Sequence, residues 1–82
     1  MLYVEVEVPG LRKSYDFRLD KYAMVDALID EICGVICQVE NGEVITRSRD
    51  MILSVLSRGI IMNNRYTLSD YNISEGMKLM LT

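Results

Sequence analysis

Leu2 to Val8 runs Leu-Tyr-Val-Glu-Val-Glu-Val, an alternation of apolar and polar side chains rich in β-branched residues. A helix cannot gather that pattern on one side, because its faces repeat about every 3.6 residues while those of a strand repeat every two. The segment therefore reads as a half-buried strand, with Val4, Val6 and Val8 toward a core and Tyr3, Glu5 and Glu7 outward. Pro9-Gly10 stops it and supplies turn chemistry. The alternation resumes from Ser14 to Leu19, with Tyr15, Phe17 and Leu19 on one face and Asp16 and Arg18 on the other. Two such runs around a short Pro-Gly connection predict an N-terminal hairpin.

The period then changes. Val25, Leu28, Ile29, Ile32, Ile36 and Val39 recur at spacings of three and four, the signature of an amphipathic helix, and Asp26, Asp30 and Glu31 fall on its other faces. Gly34 inside this helix costs about 1 kcal/mol relative to Ala, which close approach to a strand would explain. Asp20 lies near the helix start, but its distance leaves the N-terminal cap undefined. Asn41-Gly42 tolerates the left-handed backbone of a helix C-terminus and should end the element.

Glu43 to Asp50 is mixed and polar, with Arg47 and Arg49, and reads as a loop around a short extended piece at Val44-Ile45. Met51 to Leu56 reads as a third strand with Leu53 and Val55 on one face. Gly59 permits a tight turn, and Ile60 to Met62 reads as a short fourth strand with one or two of its side chains in the core. Thr67-Leu68-Ser69-Asp70 has capping-box spacing with Asp in the reciprocal position, predicting a helical turn over Leu68 to Tyr71. Met77 to Leu81 closes the pattern as a strand, with Leu79 and Leu81 inward and Lys78 and Met80 outward. The expected fold class is α+β, a mixed four- to five-stranded sheet packed on one long helix, with a short C-terminal helical turn.

The 82 residues suit a single domain over positions 1–82, and half of them are apolar, enough to build one helix-on-sheet core. A net charge of −3 gives no electrostatic reason to bind nucleic acid or an anionic membrane. No basic-then-apolar leader or membrane-length apolar run is visible, so the expectation is a cytoplasmic protein that does not insert into membranes. Cys33 and Cys37 lie one helical turn apart and read as buried thiols rather than a disulfide, since a regular helix resists the required geometry. With two Cys and no His, no four-ligand zinc site of nitrogen and sulfur donors can form within the chain, and a Ser or Cys nucleophile lacks its commonest base. No convergent carboxylate pair or phosphate-cradling glycine loop is visible either. The expected catalytic, metal and cofactor residues are accordingly none. Arg47, Arg49 and Arg58 read as a solvated basic cluster.

Arg65-Tyr66-Thr67-Leu68-Ser69-Asp70-Tyr71-Asn72-Ile73 closely resembles the Arg-Thr-Leu-Ser-Asp-Tyr-Asn-Ile stretch of ubiquitin, with one residue inserted at Tyr66. The element order also fits the ubiquitin-like β-grasp superfamily along the chain, apart from a longer region at Glu40 to Asp50. The hairpin with Phe17-Arg18-Leu19-Asp20-Lys21-Tyr22 and Val25-Asp26-Ala27-Leu28-Ile29-Asp30 looks more particularly like the YukD/EsaB group, small bacterial proteins associated with type VII, WXG-motif secretion.

The resemblance implies that Tyr71 braces the backbone around Met62 to Asn64 through its hydroxyl, a structural role shared with Thr67 and Asp70. It also implies that the exposed sheet face binds a protein partner through Leu56 and Met80, with Ser54, Lys78 and Thr82 around them. That partner would be a secretion ATPase, a membrane component or a regulator; a homodimer contact through Ile60–Met62 is the alternative use of the apolar run. The sequence departs from ubiquitin in ending at Leu81-Thr82 without a diglycine tail, so covalent conjugation is not expected. An adaptor or interaction domain of a larger signalling or scaffold protein is the competing expectation.

Overall fold

In the computed structural model, strand β1 (Leu2–Val8) and strand β2 (Lys13–Leu19) form an antiparallel hairpin with register Leu2↔Leu19 through Val8↔Lys13. The structure describes residues 1–40 and 51–82. The expected helix end at Asn41-Gly42, the loop with Val44-Ile45 and the pair Arg47 and Arg49 lie outside the described residues. The hairpin turns through a 3-10 turn at Pro9–Leu11, followed by Arg12 in the left-handed region at φ 55°, whose N–H donates to the Pro9 carbonyl at 3.1 Å. Proline starts the turn because its fixed φ suits the first helical position. Arg12 carries the strain that a glycine would avoid.

Helix α1 (Val25–Val39) follows, with Val25, Leu28, Ile29, Ile32 and Ile36 buried. These side chains share one core with Val4, Val6, Val8, Phe17 and Leu19 of the hairpin, Leu53 and Val55, and Leu79 and Leu81. Truncating a fully buried member such as Ile32 to Ala should cost about 2–5 kcal/mol, the transfer and cavity cost combined. Val39 departs from its expected place: it is 62% exposed. The face that buries Ile32 and Ile36 therefore does not stay covered to the helix end.

The start of α1 is capped by tertiary contacts rather than by a neighbouring side chain. The Val25 N–H donates to the Tyr66 carbonyl at 2.8 Å and the Asp26 N–H to the Asn64 carbonyl at 3.1 Å. Asp20 serves a separate turn, its Oδ1 accepting from the Tyr22 N–H at 2.9 Å. The expected close approach at Gly34 is also absent, since a Cβ built there would meet no atom within 4 Å. At the far end, Glu40 accepts from Lys13 Nζ at 3.0 Å and from the Tyr15 hydroxyl at 2.8 Å, fastening the helix terminus to β2.

Strands β3 (Leu53–Val55), β4 (Ile60–Ile61) and β5 (Lys78–Leu81) complete one sheet in the order β2-β1-β5-β3-β4. Strand β5 lies parallel to β1 and antiparallel to β3. Each of these strands is shorter than its alternating or apolar run, although Ile52 and Thr82 still exchange two backbone hydrogen bonds beyond β3 and β5. Gly59, at φ 65°, makes the turn into β4. Met62 is the buried member of its run, whereas Ile60 and Ile61 are exposed.

Candidate partner-binding face

With α1 on one side of the sheet, the two-residue alternation sends the intervening side chains to the other. Register fixes their neighbours: Met80 lies beside Glu7 on β1 and Ser54 on β3, and Lys78 lies beside Glu5. Ser54 in turn stands opposite Ile61 on β4. The Leu56 N–H donates to the Lys78 carbonyl at 3.4 Å, which brings Leu56 alongside β5. Leu56 is 37% exposed and Ile61 66% exposed, while Met80 is half-buried.

These side chains form a shallow hollow of about 310 Å³ lined by Ser54, Val55, Leu56, Gly59, Ile60, Ile61, Met80 and Thr82. The structure thus brings Leu56, Met80, Ser54 and Thr82 into one hollow, with Lys78 at its β1 side. It adds Ile61, which the apolar run signalled without resolving which way each residue points. Ile52 is also exposed next to Thr82. Its outward placement was available from the alternation of Leu53 and Val55.

Lys78 Nζ is 3.4 Å from Glu5 Oε2, an exposed pair of the kind that contributes little to stability. A second hollow, about 320 Å³, lies toward the hairpin and is lined by Tyr3, Val4, Glu5, Asp16 and Gly76. Arg18 rests over the Tyr3 ring at 4.8 Å and hydrogen-bonds its hydroxyl. The outer sheet face is consequently apolar on the β3–β4 side and carboxylate-bearing on the β1–β2 side.

The bracing residues do not line this hollow. Tyr71 Oη accepts from the Asn63 N–H at 2.7 Å. Asn63 is exposed, so the hydroxyl does not shield a buried group, and its removal should cost only about 0.5–1.5 kcal/mol. Thr67 and Asp70 cap each other reciprocally, the Asp70 N–H donating to Thr67 Oγ1 at 3.1 Å and the Thr67 N–H to Asp70 Oδ2 at 2.9 Å. The resulting 3-10 turn covers Ser69–Tyr71. Arg58 is not a free member of a basic cluster: it donates to the carbonyls of Tyr71 and Asn72, the latter at 3.2 Å. Cys33 and Cys37 are half-buried free thiols rather than fully buried ones. Burial pushes the Cys33 thiol above its ordinary range, and the nearby Asp30 carboxylate adds to the effect. That environment disfavours the thiolate that nucleophilic or redox chemistry requires. Among the described residues, no helix is long and apolar enough to cross a membrane.

One helix across a mixed five-stranded sheet, with a parallel β1–β5 pair at its centre, defines the ubiquitin-like α+β fold. The chain is similar to the solved N-terminal ubiquitin-like domain in the 4931431F19Rik protein, with TM-score 0.77 and 17% identity over 99% of this chain and 72% of that one. It is also similar to the ubiquitin-like domain of Arabidopsis thaliana protein At2g32350, with TM-score 0.72 and 26% identity over 99% of this chain and 74% of that one. No protein-family model and no curated protein matches the chain.

Proposed function

We propose that this chain is a non-catalytic, non-conjugated ubiquitin-like protein that binds a protein partner through its outer sheet face, as a cytoplasmic accessory or regulatory component of a bacterial type VII, WXG-type secretion system. The observation that carries the binding role is the apolar hollow formed by Leu56, Ile61, Met80 and Thr82 on the sheet face opposite α1. Clustered apolar side chains favour an interface, and methionine adapts to varied partner surfaces. The secretion context rests on the resemblance of Phe17–Tyr22 and Val25–Asp30 to the YukD/EsaB group. The partner would then be the secretion ATPase or a membrane component.

The test is a pull-down with the purified cytoplasmic part of the ATPase or membrane component as prey. Leu56→Arg with Met80→Glu should preserve the circular dichroism spectrum and abolish capture. Full capture by the folded double variant would refute the face as the binding surface. A second reading, an adaptor domain of a larger signalling or scaffold protein, is favoured by one specific likeness, because the 26%-identical Arabidopsis thaliana structure is a ubiquitin-like domain of its protein. Gene neighbourhood separates the two readings: a WXG-type substrate gene beside this one supports the first.

A further inference from the structure

The outer face carries a charge pattern that the apolar hollow does not explain. Glu5 and Asp16 stand directly opposite each other across the β1–β2 ladder. Like charges in that arrangement repel and destabilise the pair. Lys78 reaches Glu5, and Arg18 is engaged with Tyr3, while neither Glu7 nor Asp16 has an ion-pair partner among the described residues. The carboxylates of Glu5 and Asp16 share a hollow with Tyr3, whose ring supplies an apolar wall. That lining suits a guanidinium or ammonium group with its aliphatic stem.

Two hollows of different chemistry therefore lie side by side on one sheet face. Strand β5 separates β1 from β3, and adjacent strands are about 4.8 Å apart, so the two centres are roughly 10–12 Å apart. A helix rises about 1.5 Å per residue, so side chains seven residues apart span that gap.

Resting on the proposed binding face, we propose that its occupant is an amphipathic helix of the partner protein, with an Arg or Lys about two turns from a large apolar residue. The basic side chain enters between Glu5 and Asp16 and relieves their repulsion; the apolar one fills the hollow at Leu56, Ile61 and Met80. Lys78, between them, competes with the incoming cation for Glu5. The same carboxylates repel anionic lipid and nucleic acid, so a basic protein segment is the chemistry selected.

A synthetic helical peptide with Arg and Leu seven positions apart, and its counterpart with Glu in place of Arg, form the probe pair. Binding of each to the whole chain is measured by fluorescence anisotropy at low and high salt. The Arg peptide should bind, the Glu peptide should bind at least about tenfold more weakly, and Glu5→Gln with Asp16→Asn should remove most of that difference and its salt dependence. Lys78→Ala should strengthen binding of the Arg peptide severalfold. Thermal unfolding of the Gln/Asn variant serves as the fold control and should not fall, since the substitutions remove a repulsion. Equal binding of both peptides, or unchanged Arg-peptide affinity in the Gln/Asn variant while Leu56→Arg abolishes binding, overturns the basic-helix inference and leaves the face reading standing. Binding unaffected by Leu56→Arg overturns both.

Discussion

Gly34 occupies the interior of α1 with ordinary helical backbone, and an added Cβ would meet nothing within 4 Å. Replacing it with Ala introduces no clash, removes backbone freedom from the unfolded chain and improves helix propensity by about 1 kcal/mol. The entropy of unfolding is near 2.1 cal/mol/K per residue, so a chain of 82 residues has a transition entropy of roughly 0.17 kcal/mol/K. A gain of about 1 kcal/mol then raises Tm by about 6 °C. Differential scanning calorimetry of wild type and Gly34→Ala measures this directly.

Gly59 and Gly76 provide the internal contrast. Both also have open space where a Cβ would lie, yet their φ values are 65° and 79°. Alanine at either site should lower stability by about 1 kcal/mol, because the left-handed region penalises a Cβ. Gly34 also lies on the solvent side of the helix, away from the outer sheet face, so Gly34→Ala should leave partner affinity unchanged. A Tm that stays level or falls would refute the argument that Gly34 has no packing role. A gain in Tm accompanied by weaker binding would place a partner on the helix and contradict the proposed face.

Four further outcomes follow from individual contacts. Arg12→Gly should stabilise the hairpin by about 1 kcal/mol by relieving its positive φ, seen as a higher urea midpoint with an unchanged slope. Tyr71→Phe should lower stability by about 0.5–1.5 kcal/mol, and an unchanged melting curve would remove the brace to Asn63 from the account. Lys13 first and Tyr15 second hold the Glu40 carboxyl below its usual range. Its contribution is therefore present above the unfolded carboxyl pKa and is lost as pH falls through the lower folded value; Glu40→Gln should flatten that part of the acid stability profile. Native-state labelling of Cys33 at neutral pH should be slower than in denaturant, because its raised pKa depletes the thiolate.

The elements that the sequence reveals are those whose burial pattern is local. Val4, Val6 and Val8, or Leu28, Ile32 and Ile36, carry their period within a few residues, and each lies in the core where that period puts it. The first residue of α1 was readable at Val25, but its cap was not, because the groups that cap it are the Asn64 and Tyr66 carbonyls, about forty positions away in the chain. Glu40 was equally silent, since its partners Lys13 and Tyr15 become neighbours only after α1 crosses the sheet. Gly34 misled for the opposite reason: a glycine that needs close packing and one that merely tolerates open space look alike in sequence. Outward placement of Glu5, Asp16, Lys78 and Met80 was readable from alternation, but their adjacency depended on strand register.

That register is held by the core rather than by the face itself. A one-residue slip of β5 against β1 would turn Leu79 and Leu81 into solvent and bring Lys78 and Met80 inward. Leu79 and Leu81 are fully buried, so such a slip would expose two large apolar side chains and bury a charge. The inner side of β5 thereby fixes the neighbours of its outer side: Lys78 stays at Glu5, and Met80 stays between Glu7 and Ser54. Substitutions on the outer face should therefore leave the packing beneath it largely unchanged, which is what allows them to test the proposed recognition role. On the proposed binding face the division of labour would follow the same logic, with apolar contact supplying most of the affinity and exposed carboxylates acting mainly on partner choice and association rate.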